Sequence, residues 1–583
     1  METPHSIIAI DIRSTSTRAS LFDIVDGKYR FIAQGDAPTS AYSPINDIRY
    51  GVLQAVRELE NITYRSFFDS NEEWIFPNKK GMMDVDGFAA TISAGRMFKI
   101  ALVGLSEEVS IASAQKLIRT IPCEITNILS LNDREKIDTQ IRNLLQGEPD
   151  LILIAGGTDQ GASHAVMKMV EIVRLANYLT PSERRPGVLY AGNQEIQNKV
   201  STALKGVAKV EFLPNIHPRP NFELLEPARK EIIKQWIEHC IQNLEGAKEL
   251  DSFIGNTLIP SCSGFGRVIR YLSHVVTYEK GILGVDIDAQ AVTIAEAYEG
   301  ELSLVVYPEF ALSPTNKRIL DDSLLSGIQT WMTIELSKSK ISEYLANKCI
   351  YPGYIPIEKE EQAIEQAMVQ HVLFKASRHA SHHFSKGSRL NSRCFSPAFE
   401  RILASGNIFK QGADHILSGL LLLNGLQPSG VCTLVLDQNQ ISSVLGSVGN
   451  LNPMMMIQIL ESDAFISLGT VISPVGEIKD GEPILKIKIF SEEGRKDEYE
   501  ICKGDLTVIP LEYGRFVQMY LQPLHGFDVG MGSPGRGGKL TTSGGMLGLI
   551  VDARGRPLSL PIDGMKRVEQ LETWRSRLIN KEI

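Results

Sequence analysis

Two segments far apart in the chain share one pattern: an apolar run ending on an aspartate, a polar turn, then a second apolar run. The first is SIIAIDIRSTSTRASLFDI, Ser6 to Ile24, with Asp11 at the strand end. The second is GILGVDIDAQAVTIAEAY, Gly281 to Tyr298, with Asp286 in the matching place. Each reads as strand, tight turn, strand. Asp26-Gly27 supplies a further hairpin turn, with YRFIAQG as a third strand. A unit repeated about half a chain apart points to a duplicated architecture with two facing hairpins.

The rhythm between the repeats is different. FKIALVGL, CEITNILSL, DLILIAGGTD, GVLYAGN and AKVEFLP are strand-like. Between them lie helical patterns at Ser106–Thr120, Arg134–Gln146, His164–Tyr178 and Gln194–Leu204, with a long charged helix over Pro227–Leu250. Strands alternating with helices imply βαβ units and a parallel sheet covered on both faces. Pro314–Arg401 reads as mostly helical, broken at Pro352–Pro356. From Val431 onward β-rich runs and turns dominate, and Met565–Asn580 reads as a closing helix. The expected domains are therefore 1–98, a first lobe; 99–255, an inserted doubly wound α/β domain; 256–430, a second lobe; and 431–583, a β-rich domain. The fold class is α/β.

Composition narrows the function. A chain of 583 residues has room for three or four domains and several cores. At 43% hydrophobic and 22% charged it is an ordinary globular sequence rather than a disordered, collagenous or coiled-coil one. A net charge of −9 argues against a dedicated nucleic-acid binder. Seven dispersed cysteines (Cys123, Cys240, Cys262, Cys349, Cys394, Cys432 and Cys502) form no C-x-x-C pair and read as reduced thiols. METPHSIIAIDI lacks the pattern of a signal peptide, and the run Ile416–Leu423 is too short to span a bilayer. The expected location is cytoplasmic.

Four stretches are candidates for chemistry. In DIRSTSTR, Asp11, Ser14, Thr15 and Thr17 are the residue types a phosphate-binding hairpin needs: hydroxyls and backbone N–H groups for the anion, a carboxylate for a metal and its waters. The plain alternative is a polar turn. In AGGTDQGA, Gly156, Gly157, Thr158 and Asp159 follow a strand and precede a helix, where open α/β sheets bind ligands. The alternative is a tight turn with a helix cap. His379 and His383 in RHASHH share a helical face, but without a partnering glutamate or Cys pair they read as a polar face. GMGSPGRGGKLTTSGG fails the phosphate-loop pattern, because Leu540 follows Lys539, and reads as β-hairpin loops.

Taken together, IIAIDIRSTSTRASLFDI, FKIALVGLSEEVSIASAQ, DLILIAGGTDQGA, VLYAGNQEIQNKV with NIHPRPNFELLEPAR, and GILGVDIDAQAVT resemble the glutamate mutase L (MutL-type) accessory proteins over roughly the first 430 residues. The stretch after them, with GFDVGMGSPGRGG and LGLIVDARGRPLSLP, resembles the extension of longer members. The resemblance implies two actin-like (ribonuclease H-like) lobes with a nucleotide cleft for ATP and Mg²⁺. It implies Asp11 and Asp286 as catalytic carboxylates, Asp11 as the metal's holder, Asp11, Ser14, Thr15, Thr17 and Arg18 on the phosphates, and Gly406 in LASGNIF near the adenosine. It also implies a protein partner, an adenosylcobalamin-dependent mutase.

The sequence departs from the family pattern where glycine is expected. Arg13 replaces the glycine of D-x-G-S-T-x-T-K, and Arg18 its lysine. Asp288 and Ala289 replace both glycines of D-I-G-G-A-T-T-D. Val292 removes a hydroxyl, and Ile294 the final acid. Glycine serves where backbone must approach a phosphate, and an aspartate there repels one. The expectation is an accessory or scaffold protein with a degenerate cleft, not an efficient ATPase. The alternatives are an ATP-dependent reactivating chaperone, and a small-molecule module built on the inserted domain.

Overall fold

The computed structural model describes residues 4–68, 85–133, 135–275, 280–313, 321–383, 399–410, 414–490 and 496–579. Cys394 and part of the helical stretch 314–401 lie outside them. The chain divides into two compact units, one of 1–40, 48–92 and 261–583, the other of 41–47 and 93–260.

The first unit holds both aspartate-ended hairpins. Strand Ile7–Ile12 pairs antiparallel with Ser16–Val25 and parallel with Gly87–Ile92, and Ser16–Val25 pairs with Lys28–Pro38. Asp26 and Gly27 both have positive φ, 51° and 75°, as the two-residue turn requires. The second hairpin repeats this scheme. Ile282–Ile287 pairs antiparallel with Val292–Tyr298, which pairs with Glu301–Tyr307, and pairs parallel with Arg401–Gly406. Each sheet thus runs third, second, first, fourth strand, with only the second reversed. That is the ribonuclease H-like order of an actin-type lobe.

The stretch from 431 onward divides between two sheets. Gly430–Leu436, Ile466–Ser473, Leu549–Asp552 and Leu506–Ile509 extend the second-lobe sheet to eight strands. Lys496–Cys502, Pro483–Phe490, Phe516–Pro523 and Gly538–Ser543 form a separate antiparallel sheet. Strand propensity alone does not say which partner a strand takes.

Two helices hold the hairpins. Ser261–Val275 packs on Ile282–Ile287 and Val292–Tyr298, while Ser442–Leu451 packs on Ile7–Ile12 and Gly87–Ile92. They touch at Gly264 and Gly446, where a Cβ on Gly446 would lie 1.9 Å from the Gly264 carbonyl oxygen. Only glycine permits so close a backbone approach. The closing helix Gly564–Ile579 buries Leu571, Trp574 and Leu578.

The second unit carries a five-stranded parallel sheet in the order Cys123–Ser130, Phe98–Gly104, Leu151–Ile154, Gly187–Tyr190, Val210–Phe212. This is a doubly wound α/β fold. The expected helix over Pro227–Leu250 is two, Glu226–Asn243 and Ala247–Phe253, parted where Gly246 takes φ 84°. Among the described residues no helix is long and apolar enough to cross a membrane.

Candidate functional site

The two hairpin turns have the same backbone bond. Arg13 N–H donates to the Ser16 carbonyl at 2.8 Å, and Asp288 N–H to the Ala291 carbonyl at 2.9 Å. Arg13 and Asp288 therefore occupy matching positions in the two turns, and their charges are opposite. The side chains bind across. Arg13 Nε donates to Asp11 Oδ2 at 2.7 Å, Nη1 to Asp286 Oδ2 at 2.7 Å, and Nη2 to Ser443 Oγ at 2.7 Å. Ser14 Oγ lies 3.0 and 3.1 Å from the two carboxylate oxygens of Asp288. Each hairpin tip is thus bonded to the other.

The remaining expected cleft residues gather around this bridge. Asp11 Oδ1 accepts from Thr91 Oγ1 at 2.7 Å and Ser261 Oγ at 2.8 Å. Arg18 Nη2 donates to Asn407 Oδ1 at 2.7 Å, and Asn407 Nδ2 donates to Thr15 Oγ1 at 2.9 Å. Arg18 Nε lies 3.2 Å from Asp36 Oδ1, and Lys410 also pairs with Asp36. Thr17 is fully buried, with its hydroxyl lacking a partner among the described residues. Gly406 lies in register with Ile287, beside Asp286. Its φ is 130°, and a Cβ would lie 2.3 Å from the Ile287 carbonyl oxygen. Glycine is required there by packing of the chain on itself.

Burial is nearly complete: relative exposure is 1% for Asp11, 3% for Arg13, 2% for Arg18 and 3% for Asp286. Burial alone would raise the Asp11 pKa, but the guanidinium groups of Arg13 and Arg18, with bonds from Arg13 and Thr91, leave it lowered. Burial raises the Asp286 pKa, opposed by Arg13 and assisted by Asp288. Burial would lower the Arg13 pKa, yet Asp11, Asp286 and Asp288 raise it well above its usual value. Arg18 is lowered by burial and by Arg13. A further buried acid sets the geometry: Asp437 accepts from Ile441 N at 3.0 Å and Ser442 N at 2.8 Å, fixing the start of the helix that presents Ser443.

Gly156, Gly157, Thr158 and Asp159 belong to the second unit. Gly156 and Gly157 have φ of 135° and 72°. Asp159 Oδ1 accepts from Gln194 N at 3.1 Å and Asn215 Nδ2 at 3.0 Å, so its carboxylate ties neighbouring loops of that sheet. His379 packs edge-on against Phe310, ring centroids 5.2 Å apart, and the described residues hold no cluster that could bind a metal. The first part of the glycine-rich stretch, 530–537, joins strands Phe516–Pro523 and Gly538–Ser543 as a hairpin loop does, but GKLTTS, expected as loop, is itself the second of those strands.

Sequence reasoning missed Asp36, Thr91, Ser261, Asn407, Asp437 and Ser443. Only Asp437 carried a local signal, an acid just before the SSVLG helix start. Asp288, read as a residue that would repel a phosphate, has its carboxylate facing the Ser14 hydroxyl.

The family model described as MutL protein matches residues 7–464. The chain belongs to the MutL family. Among curated proteins, none matches. Solved structures similar to it include a diol dehydratase-reactivating factor in nucleotide-free form, at 10% identity, 76% of this chain, 99% of that chain and TM-score 0.30. A glycerol dehydratase reactivase is similar at 10%, 72%, 95% and 0.27. The xylulose kinase from Bifidobacterium adolescentis is similar at 13%, 79%, 94% and 0.25.

The actin fold implies ATP with Mg²⁺ between the hairpins, and the residues present do not fit that pair. A magnesium ion with its waters needs carboxylate oxygens free to accept. Both oxygens of Asp11 are engaged, as is one of Asp286, and both of Asp288 face Ser14. The Arg13 guanidinium already supplies positive charge between the Asp11 and Asp286 carboxylates.

Proposed function

We propose that this MutL-family chain is an actin-fold accessory protein that acts through a protein partner, with its lobes joined by an internal cation rather than by nucleotide. The observation that carries this reading is the Arg13 guanidinium, bonded at 2.7 Å to the aspartate of each hairpin. One attested use of a buried charge pair is to fix one arrangement of its neighbours. Here that arrangement is the mutual position of the two hairpins, and through them of the two lobes whose outer faces a partner would meet. By family, the partner is an adenosylcobalamin-dependent mutase. Asp11, Asp286 and Gly406 then have structural roles in place of catalytic and adenosine-binding ones.

The test is thermal unfolding with and without ATP and Mg²⁺. A ligand at a hundred times its Kd stabilises the folded state by about 2.7 kcal/mol. The expected result is no rise in Tm; a saturable rise would overturn the reading.

One observation favours a second reading, an ATP-dependent reactivating chaperone. Thr17 Oγ1 and Asp286 Oδ1 are buried without hydrogen-bond partners among the described residues. Unmet polar atoms in a cleft are what a ligand satisfies. That reading requires Arg13 to leave Asp286 before nucleotide enters. It fails if no ATP turnover occurs in the presence of the mutase.

A further inference from the structure

A cavity of about 380 Å³ lies away from the hairpins, between the segment Gln329–Ser337 and the closing helix Gly564–Ile579. Its lining joins two kinds of group. Met332, Ile334, Leu336 and Val568 are apolar, while Glu335 and Arg567 carry opposite charges. Among the described residues neither charge has an ion-pair partner, although both converge on one spot. A Cβ on Gly564 would lie 2.5 Å from Glu335 Oε1 and 3.9 Å from Arg567 Nη2.

The arginine is held in place. Arg567 Nη1 donates to the carbonyls of Pro561 and Ile562 at 3.5 and 3.3 Å, while Nε is buried with no partner among the described residues. The apolar wall is also fixed: Met332 is buried, and Gln329 Nε2 donates to the Leu336 carbonyl at 3.1 Å. A guanidinium recognises a carboxylate, a carboxylate recognises an ammonium, and an adjoining apolar wall takes an aliphatic side chain. The geometry points to a binding site for a free α-amino acid with an apolar side chain: Arg567 on its carboxylate, Glu335 on its ammonium, and Met332, Ile334, Leu336 and Val568 around the side chain. The absence of a side chain at Gly564 keeps the space between the two charges open. This site depends on nothing in the hairpin cleft.

The experiment is calorimetric titration of the full chain with L-leucine, with leucinamide, which lacks the carboxylate, and with 4-methylpentanoate, which lacks the ammonium. Expected is saturable L-leucine binding, at least about tenfold weaker for either analogue, the size of one lost charged contact. Glu335→Gln, at an exposed position, is expected to weaken L-leucine binding by a similar factor at unchanged Tm, and Arg567→Gln, at a half-buried one, to weaken it as much in a chain whose Tm shows it still folded. Gly564→Ala is a second, uncharged variant expected to block it. The inference is overturned if L-leucine gives no heat at roughly 10 mM, above which binding is weaker than any useful recognition. Equal binding of the three probes, or wild-type binding by Arg567→Gln, would overturn it too.

Discussion

Replacing Arg13 with alanine removes the one group among the described residues that is bonded to both hairpin aspartates. Asp11 keeps its bonds from Thr91 and Ser261 and the more distant charge of Arg18, 3.9 Å away. Asp286 loses its hydrogen-bond partner among the described residues. Breaking a buried pair in this way costs about 3–5 kcal/mol, because a charge is left unmatched in the interior. With unfolding entropy near 2.1 cal/mol/K per residue over a unit of roughly 400 residues, Tm should fall by about 5 °C.

The loss should depend on pH, and its sign follows from Asp286. Its folded pKa already lies above the unfolded value, so the folded state binds more protons in that window and stability falls as pH rises through it. Without Arg13, which now opposes that shift, the window extends upward. Arg13→Ala should therefore lose more relative to wild type at pH 8 than at pH 5. Asp286→Asn in the Arg13→Ala background should recover part of the loss, whereas Arg13→Lys, a single point charge, should recover less than a bridging guanidinium provides. Calorimetric scans of the variants at both pH values measure this. A Tm within about 1 °C of wild type at pH 8, or strict additivity of Arg13→Ala and Asp286→Asn, would refute the bridge.

Gly406→Ala should fold poorly, since its Cβ would lie 2.3 Å from a carbonyl oxygen at φ 130°, and soluble yield and Tm report it. Trp574→Ala removes a buried ring with Arg554 Cζ 4.4 Å from its centre, and should cost about 3–5 kcal/mol by denaturant titration. Burial would raise the pKa of Asp552, but Arg554 and Arg556 outweigh it and hold the carboxyl far below its usual range. Its contribution is thus present above about pH 4 and lost as pH falls, so Asp552→Asn should flatten the acid limb of the stability curve.

The hairpins were legible because their signals are local. The aspartate-ended strands, the Asp26-Gly27 turn and the strand–helix alternation of the inserted domain all lie in contiguous residues. The break in the charged helix was missed, although Gly246, which takes φ 84°, marks it in the sequence. What makes the site was not legible. Ser443 and Asn407 meet Arg13 and Arg18 only after both lobes fold, across separations of 430 and 389 residues. Asp288 illustrates the same limit: beside a phosphate it is repulsive, beside Ser14 it is a hydrogen-bond acceptor. Its sequence neighbours do not distinguish the two.

The most direct test is isothermal titration of ATP with Mg²⁺ into wild type, Arg13→Gly and Asp11→Ala. If the internal guanidinium holds the place of bound charge, wild type and Asp11→Ala should give no binding heat, and Arg13→Gly, with both carboxylates released, should bind measurably. Saturable binding by wild type that Asp11→Ala abolishes would contradict the account.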